Sequence, residues 1–266
     1  MDKIVFTDAW QKYFADFGLK TFDDFFNYSD GETVNKNNKR DVVILEKGNA
    51  PQKNRFFMKR FFHPHFKDML FTWRNFGESC SQARCEWENT KLLSVNGIGT
   101  YKPVCYGERT KWGLECKSFI VTKELKGVPL TNYVKQNWQQ LNRPQQEKII
   151  TGMAAFIRRI HENNFSLPDL YIWHIFLKEN QAVGEWEFDV IDLHRMSQNV
   201  TNKKRLIENL GRLLHSMVDS YFDEDLKRLF IESYAGNDYT GDIRTLLDRV
   251  KQYSDKVSAK RKLKSY

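Results

Sequence analysis

The stretch SLPDLYIWHIFLKE, residues 166–179, sets one acidic residue, Asp169, between a proline and a run of large apolar side chains that holds a single histidine, His174. Apolar side chains of this kind are usually buried, whereas carboxylates and imidazoles are mostly exposed or paired. A second short apolar segment, EWEFDVIDLHR (185–195), follows and contains Asp192. A loop after a helix suits a carboxylate that accepts or orients a hydroxyl proton, so Asp169 is a candidate catalytic residue.

Upstream of this stretch the pattern predicts a small lobe rich in strands. DVVILE (41–46) and NRFFMKRFF (54–62) are short and rich in β-branched or aromatic residues, and the KGNAPQK between them predicts a hairpin. SCSQARCEWENTKLLSVNG (79–97) predicts a helix that stops at Gly97, and two more strand candidates, GTYKPVCYGER and LECKSFIVTKEL, follow it. The first 30 residues predict a leading helix with a loosely periodic apolar face.

From about residue 128 onward the pattern predicts helices. PQQEKIITGMAAFIRRIHENN (144–164) and NKKRLIENLGRLLHSMV (202–218) repeat apolar residues on one face with the helical period. DEDLKRLFIESYAG and GDIRTLLDRVKQYSDKV predict two further helices. The predicted fold class is α+β. Residues 1–125 form a lobe with a leading helix, an antiparallel sheet and a Glu-bearing helix, and residues 126–266 form a helical lobe with the loop.

Composition indicates a folded chain with a basic surface. The 266 residues are 41% hydrophobic and 14% aromatic, which is enough for one large domain or two lobes with a core. The 42 Lys and Arg residues against 34 Asp and Glu give a formal charge of +8, which favours an anionic partner such as nucleic acid, phospholipid head groups or a phosphorylated substrate. The basic runs KNNKR and KVSAKRKLKSY are equally consistent with solvated tails.

Signals for membrane insertion and for zinc are weak in this sequence. It has no window of about 20 uninterrupted apolar residues, and MDKIVFTDAWQKYFADF lacks the form of a secretory signal, so a cytoplasmic protein is expected. His63 and His65 straddle a proline at a strand end and are interpreted as loop residues rather than metal ligands. The cysteines form no C-x-x-C pair and are expected to be reduced thiols: Cys80, Cys85, Cys105 and Cys116.

Several residues match the needs of phosphoryl transfer, which requires cations on the phosphates and a carboxylate that faces the attacking hydroxyl. Lys59, in the middle of FFMKRFF, is the candidate cation, and a solvent-facing lysine is the alternative. Glu86 in the following helix is its candidate partner and competes with Glu88 for that role. Asp192 lies at the end of the short strand FDVID, and its hard oxygens suit magnesium.

Two motifs together, DLYIWHIFL at 169–177 and VIDLHR at 190–195, resemble the lipopolysaccharide core heptose kinase and Kdo kinase family, a protein-kinase-like group that phosphorylates sugars of the lipopolysaccharide inner core. In that family the first motif is the catalytic loop and the second replaces the Asp-Phe-Gly motif of protein kinases. Upstream, RFFMKRF resembles the lysine strand of the family, and CEWENTKLLSVNGIGTYKPVCYGE resembles its Glu-Trp helix. The resemblance implies a protein-kinase-like fold with a small β-rich lobe and a larger helical lobe.

Carried over residue by residue, the resemblance implies that Asp169 is the catalytic base, that Lys59 contacts phosphate with Glu86 as its partner, and that Asp192 chelates magnesium. His174 takes the position five residues after the catalytic Asp, where protein kinases have a metal-binding Asn. Because imidazole suits transition metals better than magnesium, a contact with phosphate or with a metal-bound water, or a plain buried histidine, are the alternatives for His174. ATP and Mg2+ are the implied cofactors.

The resemblance has two further consequences for the site. The backbone near Lys123, Glu124 and Leu125, at the end of SFIVTKELKG, is the predicted adenine-binding segment. Apolar residues after the catalytic Asp are predicted to pack the loop onto the helical lobe: Tyr171, Ile172, Ile175 and Phe176.

The chain departs from the family pattern at two places. Leu167 and Pro168 stand where the family and protein kinases have His-Arg, which leaves the loop geometry to proline stiffness and packing. No Gly-x-Gly-x-x-Gly occurs between the first strands, and GETVNKNNKR (31–40) offers a single glycine with basic residues, whose amides or side chains are a candidate phosphate cover. These departures favour, as an alternative, a pseudokinase that binds nucleotide or a partner as a regulatory module.

The expected function is ATP-dependent phosphorylation of a heptose or Kdo hydroxyl in the lipopolysaccharide inner core, by a protein that is cytoplasmic or peripheral at the inner membrane. The core glycolipid acceptor and an anionic membrane surface are the expected partners, the latter through basic tails and exposed aromatics of the leading helix. No nucleic acid partner is expected, since charge alone supports one. A kinase of the same fold that acts on protein or on a small molecule is the remaining alternative.

Overall fold

The computed structural model describes most of the chain, in two compact units. The described residues are 1–7, 10–47, 54–62, 64, 72–73, 75–180, 184–263 and 266. His63 and His65, interpreted above as loop residues, lie outside them. The first unit comprises Met1–Leu92, Tyr101–Leu125 and Leu193–Arg195, and the second comprises Leu93–Thr100, Lys126–Asp192 and Met196–Tyr266. The lobe boundary after residue 125 stays a prediction.

The first unit is built on an antiparallel sheet. In chain order its strands within the described residues are β1 (Asp2–Phe6), β2 (Thr33–Lys36), β3 (Arg40–Lys47), β4 (Asn54–Phe61), β5 (Pro103–Lys111) and β6 (Leu114–Lys123). Across the sheet the order is β1-β5-β6-β4-β3-β2. The predicted hairpin is confirmed, since β3 and β4 pair antiparallel with Val42 opposite Lys59. The strand that carries Lys59 therefore lies inside the sheet, between β3 and β6.

The prediction of one leading helix over the first 30 residues is wrong. β1 pairs with β5 at the edge of the sheet, and two short helices follow, α1 (Trp10–Asp16) and α2 (Phe22–Phe26). The sequence DKIVF has the β-branched and aromatic residues that suit a half-buried strand. Gly18 lies between the helices with a φ of 79°, a left-handed conformation that glycine adopts without steric cost. Thr21 then caps α2 by accepting the N–H of Asp24.

Most aromatic side chains of α1 and α2 belong to the core of the first unit. Phe14, Phe25 and Phe26 are at most 4% exposed. Phe25 stacks on Phe119 of β6 with the ring centroids 5.0 Å apart. Full burial of a phenylalanine stabilises a fold by about 1.5–3 kcal/mol. The expectation that exposed aromatics of a leading helix contact lipid is therefore corrected, since the described aromatic residues between Trp10 and Phe26 are at least partly buried except Phe17, which follows α1 and is 38% exposed.

The helix that carries Glu86 is α3 (Gln82–Val95), which confirms the helix predicted within residues 79–97. The N–H of its first residue donates to the carboxylate of Glu115 on β6 at 3.1 Å, which satisfies one of the amides that a helix start leaves without an internal partner. Trp87, 2% exposed, packs against Tyr106 of β5 with the ring centroids 5.2 Å apart. These contacts hold the helix on the sheet and so fix the position of Glu86.

The second unit is mostly helical. Its helices are α4 (Leu130–Asn137), α5 (Arg143–Glu162), α6 (Lys203–Ser216), α7 (Glu224–Ala235) and α8 (Ile243–Ser258). α5 confirms the helix predicted at 144–164 and packs with α7, while α6 packs with α8. None of the helices in the described part of the chain has the length and apolar character needed to cross a bilayer.

A small antiparallel sheet positions the loop of the second unit. Its strands, in the order β7-β8-β9, are β7 (Val128–Pro129), β8 (Ile175–Asn180) and β9 (Glu185–Val190). β8 is not predicted from the sequence, because its residues continue the apolar run without a turn signal. Ile175 pairs with Val190, which brings the end of the loop next to the residues that follow β9.

Candidate active site

Lys59 and Glu86 form an ion pair in the first unit. Lys59 Nζ lies 2.9 Å from Glu86 Oε2, and the two side chains are 14% and 4% exposed. A carboxylate this deeply buried is costly unless it is paired and hydrogen-bonded. Glu88 instead lies 3.8 Å from Lys91 Nζ and is 38% exposed. Of the two glutamates considered from the sequence, Glu86 is thus the partner of Lys59.

Tyr101 is a further partner of Glu86, and the sequence does not predict it. Its hydroxyl donates to Glu86 Oε1, and its side chain is buried. Each oxygen of the Glu86 carboxylate therefore has a donor, one from Lys59 and one from Tyr101. Nothing in the sequence predicts this contact, since Tyr101 lies in the strand candidate GTYKPVCYGER, and a strand pattern does not identify a partner of Glu86.

Arg60 serves a different purpose from its neighbour Lys59. Successive side chains of a strand point to opposite faces of the sheet. Arg60 makes a bidentate contact with Asp41, at 2.8 and 2.6 Å, and donates to the carbonyl oxygens of Phe26 and Tyr28. Lys59 and Arg60 thus have different partners, and Arg60 ties the sheet to the end of α2.

The β2–β3 turn lies in GETVNKNNKR (31–40), the segment predicted from the sequence as a candidate phosphate cover. Asn37 Oδ1 accepts the N–H groups of Lys39 and Arg40, at 2.9 and 3.0 Å. Both amides are thus engaged within the turn. A phosphate contact from this segment would therefore come from the side chains of its basic residues, and that role stays a prediction.

The predicted adenine-binding segment follows β6. The N–H of Lys123 donates to the carbonyl of Lys102 at 2.9 Å, and the N–H of Glu124 donates to the carbonyl of Arg55 at 3.2 Å. The Glu124 carboxylate also pairs with Arg55 Nη1 at 2.6 Å. Leu125 is half-buried. Because two of the amides are bonded within the first unit, any adenine recognition here falls to carbonyl oxygens or to the Leu125 backbone.

The loop that carries Asp169 is anchored at its start by a buried asparagine of α6. Asn209, 1% exposed, accepts the N–H of Leu167 at 2.7 Å and the hydroxyl of Ser166 at 3.0 Å. The backbones of Ser166 and Ser197 also exchange two bonds of 2.9 Å. The loop is thus held at the position where His-Arg is missing. Sequence reasoning overlooks Asn209, although a polar residue on the apolar face of NKKRLIENLGRLLHSMV is a detectable signal.

His174 lies between the backbone of Asp169 and the carboxylate of Asp192 in the second unit. Its Nδ1 lies 2.7 Å from the carbonyl oxygen of Asp169. Because a carbonyl only accepts, Nδ1 carries the proton and donates it. In the neutral ring Nε2 then carries the lone pair and is an acceptor. It lies 3.6 Å from Asp192 Oδ2. Two acceptor atoms that face each other at this distance, which is too long for a hydrogen bond, suit a cation between them.

Asp192 itself has an unusual backbone. Its φ of 66° is in the left-handed region, which Asp tolerates better than most residues but at a cost of about 1–2 kcal/mol. The N–H of Ile191 donates to the carbonyl of His174 at 3.0 Å, so the turn after β9 is fixed to the end of the loop. Strained backbones of this kind cluster at functional sites.

The donor set around His174 fits a divalent cation. A metal-binding histidine usually donates its second ring N–H to a carbonyl or carboxylate, as His174 does to Asp169. Asp192 supplies the hard oxygen that magnesium prefers, while the imidazole adds affinity for softer divalent ions. The sequence prediction of Asp192 and His174 as metal ligands is therefore compatible with this geometry.

Comparisons with known proteins point to one family. The sequence profile of the lipopolysaccharide kinase (Kdo/WaaP) family matches residues 26–234. The lipopolysaccharide core heptose(I) kinase WaaP of Escherichia coli (strain K12) is 30% identical over 160 residues. That alignment covers 57% of this chain and 59% of the relative's length.

A solved structure, WaaP in complex with acyl carrier protein, is similar over 96% of this chain and 99% of that one, with a TM-score of 0.69 and 20% identity. This likeness shows a shared fold, and the predicted protein-kinase-like α+β class is confirmed.

Proposed function

The chain belongs to the lipopolysaccharide kinase (Kdo/WaaP) family, and from this membership we propose that it transfers the γ-phosphoryl group of ATP to a sugar hydroxyl of the lipopolysaccharide inner core. The observation that carries the proposal is the loop in which His174 donates from Nδ1 to the backbone of Asp169 and places its Nε2 3.6 Å from the carboxylate of Asp192. Phosphoryl transfer needs a residue that orients the attacking hydroxyl and a carboxylate that binds the metal ion. Asp169 and Asp192 are proposed for these roles.

In the proposed reaction the acceptor hydroxyl oxygen forms a bond to the γ-phosphorus, and the bond from that phosphorus to the bridging oxygen of ATP breaks. The leaving ADP keeps the electron pair of the broken bond, and the hydroxyl proton passes to the carboxylate of Asp169. Asp192 and Nε2 of His174 would hold Mg2+, whose charge would offset the negative charge of the phosphates.

Lys59 is the proposed phosphate contact. Its ammonium group has three N–H donors, so a bond to Glu86 is compatible with further bonds to phosphate oxygens. Glu86 is proposed to fix the direction of the lysine, and Tyr101 to fix the carboxylate of Glu86. Glu124 and Leu125 stay proposed backbone contacts for the adenine.

Heptose is the proposed acceptor sugar, since the relative from Escherichia coli is a heptose(I) kinase, and a Kdo hydroxyl is the alternative. The formal charge of +8 supports a peripheral contact with an anionic membrane surface, where such a glycolipid is presented. Acyl carrier protein is a further candidate partner, because the similar solved structure holds WaaP together with it.

The test is transfer of labelled phosphate from ATP to purified core acceptors by the wild type and Asp169→Asn. We expect transfer to a heptose-containing acceptor and a loss of at least about 100-fold in Asp169→Asn, because general base catalysis contributes about that much. Transfer to an acceptor whose inner core contains only Kdo would assign Kdo instead. Full turnover by Asp169→Asn would remove Asp169 from the mechanism.

A nucleotide-binding pseudokinase is the second candidate, favoured by Leu167 and Pro168 in place of His-Arg. A thermal-shift titration of ATP with and without magnesium separates the candidates when it is combined with the turnover assay, since a ligand that binds the folded state raises the melting temperature. A magnesium-dependent shift that Asp192→Asn abolishes, without any turnover, would favour the pseudokinase. The absence of a shift up to millimolar ATP would contradict the kinase and leave a pseudokinase that binds a partner.

A further inference from the structure

We propose that Arg261 and Tyr266, which follow α8 and are together called the brace, are positioning residues that hold the catalytic loop in its active geometry. This inference rests on the proposed kinase function. Within the second unit, Arg261 contacts Tyr171 of the loop directly, and Tyr266 is connected to the next loop residue, Ile172, through Ser216.

Arg261 acts directly on the loop. Its Nη1 donates to the hydroxyl oxygen of Tyr171 at 2.8 Å, and its guanidinium carbon lies 5.9 Å from the centroid of the Tyr171 ring. Tyr171 is 4% exposed, and its ring stacks on Trp173 at a centroid distance of 4.6 Å and an angle of 8°. The N–H of Arg261 donates to the carbonyl of Val257, so the residue is tied to the last turn of α8. The contact joins a helix end to a buried ring of the loop.

Tyr266 acts through α6. Its hydroxyl donates to the carbonyl of Ser216 at 2.7 Å, and its ring stacks on Tyr221 with an angle of 12°. Burial raises the pKa of Tyr266 to about 12, so the hydroxyl keeps the proton that it donates at neutral pH. The side chain of Ser216 in turn accepts the N–H of Ile172 at 2.9 Å. Tyr266 is therefore connected to the amide of Ile172 through one residue, Ser216.

These contacts act close to the proposed base. Asp169 lies two residues before Tyr171, and the N–H of His174 donates to the carbonyl of Tyr171 at 2.9 Å. A displacement of Tyr171 would thus be transmitted to the loop on both sides. Catalytic groups must be held within about 0.5 Å of the productive geometry, and an error of about 1 Å costs about 100-fold in rate. The brace is expected to affect the chemical step rather than ATP binding.

The test is a double-mutant cycle on the phosphotransfer reaction with Arg261→Ala, Tyr171→Phe and the double variant. We expect kcat to fall about tenfold in each single variant and no further in the double variant, because both remove the same bond. KM for ATP should change less than about twofold, since the substrate-binding residues are untouched. Arg261→Lys should recover part of kcat, and Lys260→Ala, which removes the adjacent exposed cation, should behave as wild type.

Unchanged kcat in Arg261→Ala, or multiplicative losses in the double variant, would overturn the proposal. A fall in melting temperature with kcat unchanged would also overturn it, by leaving Arg261 a purely structural role. Hydrogen exchange of the amides of residues 170–172 gives a readout that needs no turnover. We expect faster exchange in Arg261→Ala than in Lys260→Ala, and equal rates would contradict the brace. If the wild type does not transfer phosphate, the kinase proposal fails while the exchange result still decides on the brace.

Discussion

The side-chain oxygen of Asn209 lies 2.7 Å from the backbone nitrogen of Leu167 and accepts its proton. Leu167 is one of the two residues at which the sequence departs from the His-Arg pattern of the resemblance, and its own side chain is apolar and 4% exposed. A buried N–H without an acceptor is costly, so the loop needs a partner at this point. α6 supplies that partner. The departure at Leu167 and Pro168 is thus matched by an anchor from another element, which favours an ordered loop over a degenerate one.

Replacement of Asn209 by Ala should destabilise the protein and slow phosphotransfer. The change leaves the Leu167 amide and the Ser166 hydroxyl without their acceptor, and each buried unsatisfied group costs about 1–3 kcal/mol. Unfolding in urea measures the loss of stability. Asn209→Asp keeps an acceptor oxygen and is the matched variant. Equal stability of wild type and Asn209→Ala would contradict the anchoring role.

The stability of the protein should fall between pH 7.5 and pH 5 because of His161. Burial lowers the pKa of His161 to about 4, so the unfolded chain, with a histidine pKa of about 6.5, binds the proton first as the pH falls. The stability contributed by the neutral ring is fully present above pH 6.5 and is lost as the pH falls towards 4. From the difference between the two pKa values, the free energy of unfolding should be lower by about 2 kcal/mol at pH 5 than at pH 7.5.

Denaturant unfolding at pH 7.5 and pH 5 checks this dependence on His161. The ring bonds with Tyr234 at 2.8 Å and lies 3.3 Å from Asn209 Oδ1, and His161→Gln keeps polar atoms in that place without a titrating group. The variant should therefore show a smaller loss of stability than the wild type. An identical pH dependence in both proteins would assign the effect to other groups.

Tyr101→Phe should weaken the Lys59–Glu86 pair without removing it. The change deletes the hydroxyl that donates to Glu86, and loss of a hydrogen bond to a charged group costs about 1.5–3 kcal/mol. We expect a lower melting temperature and a raised KM for ATP. Glu86→Gln should cost more, because it removes the charge opposite Lys59. Glu88→Gln, on the same helix but more exposed, is the control and should match the wild type.

Features that depend on neighbouring residues in the sequence can be predicted from it, whereas features that depend on contacts between distant elements cannot. α5 and the β3–β4 hairpin follow from periodicity and from a short turn, so they are predictable. β1 is missed because its partner β5 lies about 100 residues away, and local propensity does not report that pairing. Tyr101 and Asn209 are missed for the same reason, since each acts through a single hydrogen bond made across elements. Asp169 and Asp192, by contrast, stand in motifs whose order is visible in the sequence.

His174 should set the preference of the site for the divalent ion. Its Nε2 faces Asp192 Oδ2 at 3.6 Å, and imidazole favours transition metals, whereas a neutral amide oxygen is a harder ligand. His174→Asn should therefore lower the effect of Mn2+ relative to Mg2+ on the ATP-dependent thermal shift. Asp192→Asn should diminish the shift with both ions. Glu185→Gln, an exposed carboxylate on β9, is the matched control. An unchanged ratio of the Mn2+ and Mg2+ shifts in His174→Asn would exclude a direct bond from the imidazole to the metal. The role of His174 would then be to position Asp169 through the bond from its Nδ1–H.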